Sequence, residues 1–282
     1  MKLAVAIIFF EKKSQTIECI KSVANAPIKI YVLNNNSSSD SFHSLKTATS
    51  HFKNVIFIDS KENLGPARGR NFLISQIEEH WIFFLDNDIV VKTTDWFDKI
   101  WTHLKSQSNY EVFIPILFNV HENNIVNFHK YKLANNAVLG DIVTQSETNC
   151  FPGGASIVNK SLFARLGLYN SEISVLEDFE YSIRGVMKNE PIRAKLIDDI
   201  VLHHNHKYSK LNKDKAAVKI RYASEQYQCA ENLIKEKYKI EYHSGWQQWV
   251  NEQMQIMVYS SPYHKIKKKI IIQFRKLKKK YS

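Results

Sequence analysis

A chain of 282 residues with 44% hydrophobic side chains can bury a full core, which excludes wholesale disorder. Its net charge of +11 sits at one end: nine Lys or Arg fall between Tyr263 and Ser282, and no acid follows Glu252. The rest is close to neutral, which argues against a nucleic-acid-binding surface over the whole molecule. Cys19, Cys150 and Cys229 have neither metal-ligand spacing nor the number for a disulfide framework, so a reducing, cytoplasmic setting is expected. No apolar run approaches the ~20 residues of a membrane-spanning helix.

The first hundred residues alternate apolar runs with helical patterns. Leu3–Phe10 is a continuous apolar run, as in a strand covered on both faces. It runs straight into Glu11, so a buried first strand is expected rather than a signal peptide. Helical spacing follows over Ser14–Ala24. Ile28–Leu33 is a second strand ending in the polar turn Asn34–Asp40. Phe42–Phe52 is helical, Val55–Ile58 a third strand, and Pro66–Ile77 a helix with Pro in its first turn. Trp81–Leu85 is a fourth strand that stops at Asp86-Asn87-Asp88. This alternation predicts βαβ units, a parallel sheet and an α/β fold, with ligands beyond the carboxyl ends of the strands.

The middle is less regular. Val112–Phe118, Asn124–His129 and Ala137–Val143 are candidate strands, some of them antiparallel. Phe151-Pro152-Gly153-Gly154-Ala155 is a breaker-rich loop before a strand at Ser156–Val158. Ser161–Leu166 is a short helix closed by Gly167, Glu177–Lys188 a helix and Ile192–His203 a late strand. Beyond His206 the pattern is helical, roughly over 213–237, 245–259 and 262–281. The expected division is a catalytic domain over 1–206 and a helical region over 207–282.

Asp86-Asn87-Asp88 puts two carboxylates at the end of a buried strand, where both can face one cavity. Oxygen ligands of this kind suit Mg²⁺ or Mn²⁺. The plain alternative is an acidic turn. Glu177-Asp178 opens a helix, where a carboxylate can act as a base or simply favour the helix dipole. Gly153 and Gly154 allow close backbone approach, or a tight turn. His203 and His204 end the late strand on opposite faces, so one points inward. Spacing to Ser209 favours His204, and His206 lies just beyond. Arg68 and Arg70 suit phosphate through their planar forks, although either can also sit on the helix surface.

Five segments, in order, resemble the family-2 glycosyltransferases of GT-A fold. Residues 30–40 are similar to that family's V-D-N-x-S-x-D. Asn63-Leu64-Gly65-Pro66-Ala67-Arg68-Gly69-Arg70-Asn71 is similar to N-x-G-x-A-x-x-R-N, and Leu85-Asp86-Asn87-Asp88 to L-D-x-D. Residues 152–169 match the stretch before the base, and residues 176–184 match E-D-x-[DE]-L-x-x-R. The resemblance spans about residues 3–205. It implies a Rossmann-like, mostly parallel sheet, a Mn²⁺ or Mg²⁺ ion at Asp86 and Asp88 with His203 or His204, and a nucleotide-sugar donor. The donor would lie against Asn34, Asn35, Asn63, Gly65, Arg68, Arg70, Asn71, Asp86, Asn87, Gly153, Gly154 and Glu177. Asp178 would be the base of a single inverting displacement. The family usually has an aspartate where Asn34 or Asn35 stands here. An asparagine carbonyl can still accept from uracil N3–H, so a UDP-sugar is expected.

Ile266, Ile270, Phe274, Leu277 and Tyr281 recur at helical spacing among the lysines of the tail. This amphipathic basic stretch, 263–282, suits an anionic inner membrane face, or packs on the catalytic domain. The acceptor expected by family analogy is a glycan or lipid-linked glycan. Two other readings compete with this one. A sugar-phosphate nucleotidyltransferase needs a Gly-rich loop after the first strand, and Phe9-Phe10-Glu11-Lys12-Lys13 has no glycine. A non-catalytic membrane- or RNA-associated protein would rest on the tail alone.

Overall fold

Alternation along the first strand sets the frame of the sheet. The structure is a computed structural model that describes residues 2–106, 109–135, 137–142, 146–205 and 224–240. In it β1 (Leu3–Phe9) sends Leu3, Val5, Ile7 and Phe9 into one buried cluster and Ala4 and Ala6 into another. A strand buried on both faces needs a helix layer on each. On one side α1 (Lys13–Val23) supplies Cys19, Ile20 and Val23. On the other, α3 (Gly65–Gln76) supplies Leu73 and Ile74. A Cβ at Gly69 would meet Ile8 Cδ1 at 2.9 Å, which is why α3 can lie so close to β1.

Between these run β2 (Ile30–Asn35), α2 (Ser39–Thr49), β3 (Val55–Ser60) and β4 (Trp81–Asp86). After β4 come β5 (Ile89–Val91), α4 (Trp96–Ser106), β6 (Val112–Asn119), β7 (Asn124–Ile125), β8 (His129–Ala134), β9 (Ala137–Ile142) and β10 (Glu147–Thr148). The unit closes with β11 (Ala155–Asn159), α5 (Lys160–Leu166), α6 (Glu177–Met187) and β12 (Ala194–His204). The main sheet has ten strands in the order β10-β12-β6-β11-β4-β1-β2-β3, with β5 on β12 and β7 on β6. β8 and β9 form a separate antiparallel hairpin.

The pairing direction decides where chemistry can gather. β3, β2, β1 and β4 are parallel, β11 is antiparallel to both β4 and β6, and β12 is parallel to β6. The carboxyl ends of β1, β4 and β12 and the amino end of β11 therefore share one edge. That is the edge at which α/β sheets bind ligands.

The expected strands and helices of the first ninety residues are present, with ends shifted by one to three residues. One shift matters: β2 continues through Asn34 and Asn35, which are buried strand residues rather than a solvent turn. Three elements, α4, β5 and β10, were not anticipated, and one expected strand is divided. The helix α4 buries Trp96, Ile100 and Leu104 at i, i+4, i+8 spacing. The short β5 pairs with β12. The stretch expected as one strand over 124–129 is split between β7 and the start of β8.

The chain divides into two compact units, 1–206 with 238–241 and 207–237 with 242–282. The described part of the second carries α7 (Ser224–Tyr238), whose last residue is counted with the first unit. There are seven helices among the described residues. None of them is long and apolar enough to cross a membrane. His206 and the helical patterns at 245–259 and 262–281 lie outside the described residues.

Candidate active site

Asp86 is the last residue of β4, and the chain turns at Asn87 into β5. Because β5 pairs antiparallel with β12, with Ile89 opposite His204, the end of β12 lies beside this turn. Asp86, Asp88 and His204 each offer a ligand atom, and these atoms lie within 4.8 Å of one another. Asp88 and His204 are buried, at 1% and 9% exposure, while Asp86 is half-buried. Two carboxylates and an imidazole match the donor preferences of Mn²⁺, with Mg²⁺ served by the oxygens. The residues present fit a divalent ion.

His203 does not join them. Strand alternation turns it to the other face, where its ring lies 5.2 Å from that of Phe118. Burial, aided by the charge of Lys92, lowers its pKa.

The second half of the site comes from β11 and α6. The Asp86 N–H donates to Gly154 O at 2.7 Å. A Cβ on Gly154 would fall inside the Asp86 carboxylate, and one on Gly153 would lie 2.7 Å from Arg70 Nη1. Both positions therefore need glycine for close approach, and neither has a positive φ. Arg70, 4% exposed, reaches from α3 to bridge two acids. Its Nη2 lies 3.2 Å from Asp86 Oδ1 and its Nη1 donates to Glu177 Oε1. Burial works against the guanidinium charge, but Glu177 and Asp86 more than offset it and raise its pKa. Burial likewise raises the Glu177 pKa, against the lowering effect of Arg70.

Asp178 stands in the first turn of α6, after Leu176 at φ 62. Its Oδ1 accepts from its neighbour Phe179 N–H at 2.8 Å and its Oδ2 from Gly153 N–H at 3.1 Å. The Gly153-Gly154 pair thus stands between the two: Gly153 N–H donates to Asp178, and Gly154 O accepts from the Asp86 backbone N–H. Both ends of α6's acidic first turn have fixed partners, more than a helix-dipole role requires.

The remaining candidates divide into those turned inward and those used elsewhere. Asn34 donates to Asp59 Oδ1 at 2.8 Å and accepts from Ser37 N–H at 3.1 Å. Asn35 donates to Asn63 Oδ1 at 2.9 Å and accepts from Leu64 N–H at 2.7 Å. Asn63 Oδ1 also accepts from Gly65 N–H, and Gly65 takes φ 67 with open space around it. These four residues form one corner at the ends of β2 and β3. Asn71 clamps the backbone N–H and C=O of Tyr169, each at 2.9 Å, so both ends of its amide are used. Asn87 donates to Thr16 Oγ1 at 3.1 Å. Arg68 is exposed and pairs with Glu62 at 2.5 Å, so the guanidinium expected near the diphosphate lies on the surface of α3.

Sequence reasoning missed Lys12, whose Nζ lies 2.9 Å from Asp88 Oδ2. It also missed Asp59, which no motif marked.

The residues 4–167, more than half of the chain, match the model of "Glycosyl transferase family 2". No curated protein matches the chain by sequence. Among solved structures, S. aureus TarS 1-349 in complex with UDP-GlcNAc superposes with a TM-score of 0.58 at 11% identity, over 87% of this chain and 75% of that one. GalNAc-T7 with UDP, GalNAc and Mn²⁺ gives 0.58 at 13%, over 92% and 57%. Mannosyltransferase PcManGT from Pyrobaculum calidifontis, in complex with GDP-Man and Mn²⁺, gives 0.58 at 12%, over 93% and 71%. At these identities the likeness is one of fold. The large, mostly parallel central sheet agrees with it, and the chain belongs to glycosyl transferase family 2, with the GT-A fold.

Proposed function

We propose that the chain is an inverting glycosyltransferase that moves a sugar from a UDP-sugar to a hydroxyl of a glycan or lipid-linked glycan. One observation carries the reading. The Asp86, Asp88 and His204 cluster and the Asp178 carboxylate both abut the Gly153-Gly154 pair, Asp86 through its backbone N–H to Gly154 O and Asp178 by accepting from Gly153 N–H. The solved structures of similar fold carry UDP-GlcNAc, UDP with Mn²⁺, or GDP-Man with Mn²⁺, which supports a nucleotide-sugar donor here.

Asp86, Asp88 and His204 would hold a divalent ion, whose positive charge stabilises a diphosphate leaving group. Arg70 keeps Asp86 in place and offsets part of the negative charge around it. Gly153 and Gly154, having no side chains, let the Arg70 guanidinium and the Asp86 carboxylate pack directly against the backbone. Asp178 takes the proton of the acceptor hydroxyl as that oxygen attacks the anomeric carbon from the face opposite the leaving group. The donor's N–H-bearing base edge would meet the corner formed by Asn34, Asn35 and Asn63. Residues 1–206 would form the catalytic domain, and the basic stretch 263–282 would draw the protein to an anionic membrane face.

The test is Asp178→Asn. Melting temperature and donor affinity by calorimetry should stay as in the wild type, while sugar transfer falls by about 10²–10⁴-fold, the usual contribution of a general base. Turnover near the wild-type rate would remove Asp178 from the role.

A further inference from the structure

Lys12 occupies an unusual place on the acidic site. It ends the loop between β1 and α1, and both it and Glu11 have left-handed backbones, at φ 48 and 52. Such a conformation is strained for a non-glycine residue and persists only where the surroundings enforce it. Here they do. Glu11 N–H donates to Ser37 Oγ at 3.0 Å, and its carboxylate accepts from Ser38 N–H at 2.7 Å. Lys12 O accepts the first helical bond of α1 from Thr16 N–H at 3.1 Å. The turn is thereby locked to the end of β2, and the Lys12 side chain is sent across the sheet edge. Its ammonium rests 2.9 Å from Asp88 Oδ2, on a carboxylate that is only 1% exposed.

A divalent ion and an ammonium cannot both sit on that carboxylate without cost, because like charges brought together in a shielded site repel each other. A lysine carries a compact charge on a flexible four-carbon stem. It can leave Asp88 without any movement of the locked backbone. We propose that Lys12 is the resident counter-cation of the acidic site: it balances Asp88 while no divalent ion is bound, gives up the carboxylate when one arrives, and so lowers the affinity of the free protein for that ion. The inference rests on reading Asp86, Asp88 and His204 as the ion site. Once displaced, the ammonium remains at the same sheet edge, where it can meet an anionic diphosphate. The ion and a nucleoside diphosphate are then coupled, each favouring the other's binding by the same factor.

The experiment is a Mn²⁺ titration of the full chain without nucleotide, with free Mn²⁺ read by electron paramagnetic resonance. Lys12→Met keeps the bulk and removes the charge. Lys12→Gly accepts the left-handed backbone without strain and guards against a folding defect in the first variant. Both are expected to bind Mn²⁺ on the order of tenfold more tightly than the wild type. Mn²⁺ should also raise their melting temperatures more than that of the wild type. UDP should strengthen Mn²⁺ binding less in the variants than in the wild type. Equal or weaker Mn²⁺ binding in both variants overturns the proposal. The same holds if neither wild type nor variants bind Mn²⁺. Asp88→Asn separates the two layers: loss of Mn²⁺ binding there keeps the ion site, whereas unchanged binding removes the site and the proposal with it.

Discussion

The two carboxylates of the acidic turn are held in different ways. Asp86 belongs to a closed network. Arg70 bridges it to Glu177, Gly154 O accepts its backbone N–H, and two glycines leave just enough room for the carboxylate and the guanidinium. Asp88 is gripped by groups that arrive from far away in sequence, Lys12 from the end of β1 and His204 from the end of β12. Its lysine partner is flexible and charged, so an incoming cation can take its place. The first arrangement places a carboxylate, and the second trades charge. On the proposed reading, this short motif combines a fixed ligand with a gated one.

Breaking the closed network should have the largest effect. Arg70→Met leaves Glu177, 7% exposed, buried beside Asp86 and Asp178 without its countercharge. Removing one partner of a buried ion pair costs about 3–5 kcal/mol, which urea unfolding at pH 7 would read. The pH dependence has a definite sign. Burial already raises the Glu177 pKa above its unfolded value, and Arg70 opposes that rise. Without Arg70 the folded value climbs further. Folding then favours the protonated acid, and stability is lost as pH rises through the folded pKa. The variant should recover stability relative to the wild type on acidification. A deficit that stays constant across that range would mean that Glu177 is not the group left exposed to the loss.

Gly154→Ala comes next. The added methyl must displace the Asp86 carboxylate, and overpacking of this kind costs about 1–3 kcal/mol. It should also weaken Mn²⁺ binding, because Asp86 would move while Asp88 and His204 stay. A stable Gly154→Ala protein with unchanged Mn²⁺ affinity would show that Asp86 is not a ligand.

The closed side of this comparison was largely legible in the sequence, and the gated side was not. Asp86, Gly153, Gly154, Arg70, Glu177 and Asp178 were all marked by local motifs, and β1 to β4 by unbroken apolar runs. What the motifs do not carry is direction. Nothing local to Arg68 and Arg70 distinguishes the exposed guanidinium from the buried one until β11 and α6 close over Arg70. Asn34 and Asn35 look like turn residues because asparagine amides satisfy turns. They are buried in β2 because Asp59 and Asn63, more than twenty residues away, supply the missing hydrogen bonds. In the sequence Lys12 is only part of a loop without glycine. Its partner lies 76 residues on, and only the parallel pairing of β1 with β4 brings the two ends together. The helix α4 was missed although Trp96, Ile100 and Leu104 carry its period, since no motif drew attention to it.

The smallest expected effects come from the histidines, and they test the gated side most directly. The two share a strand, so a loss that came from disturbing β12 would appear in both. Only His204 has its ring nitrogen near Asp88, at 3.3 Å, while His203 packs against Phe118. His204→Ala should weaken Mn²⁺ binding by about tenfold, the low end of the loss when a metal-site partner is removed. His203→Ala should change stability by no more than about 0.5 kcal/mol and leave Mn²⁺ affinity as it was. A His203→Ala protein as weak in Mn²⁺ as His204→Ala would assign the effect to the strand instead of the imidazole. In that case the third ligand would have to be sought elsewhere at the same sheet edge.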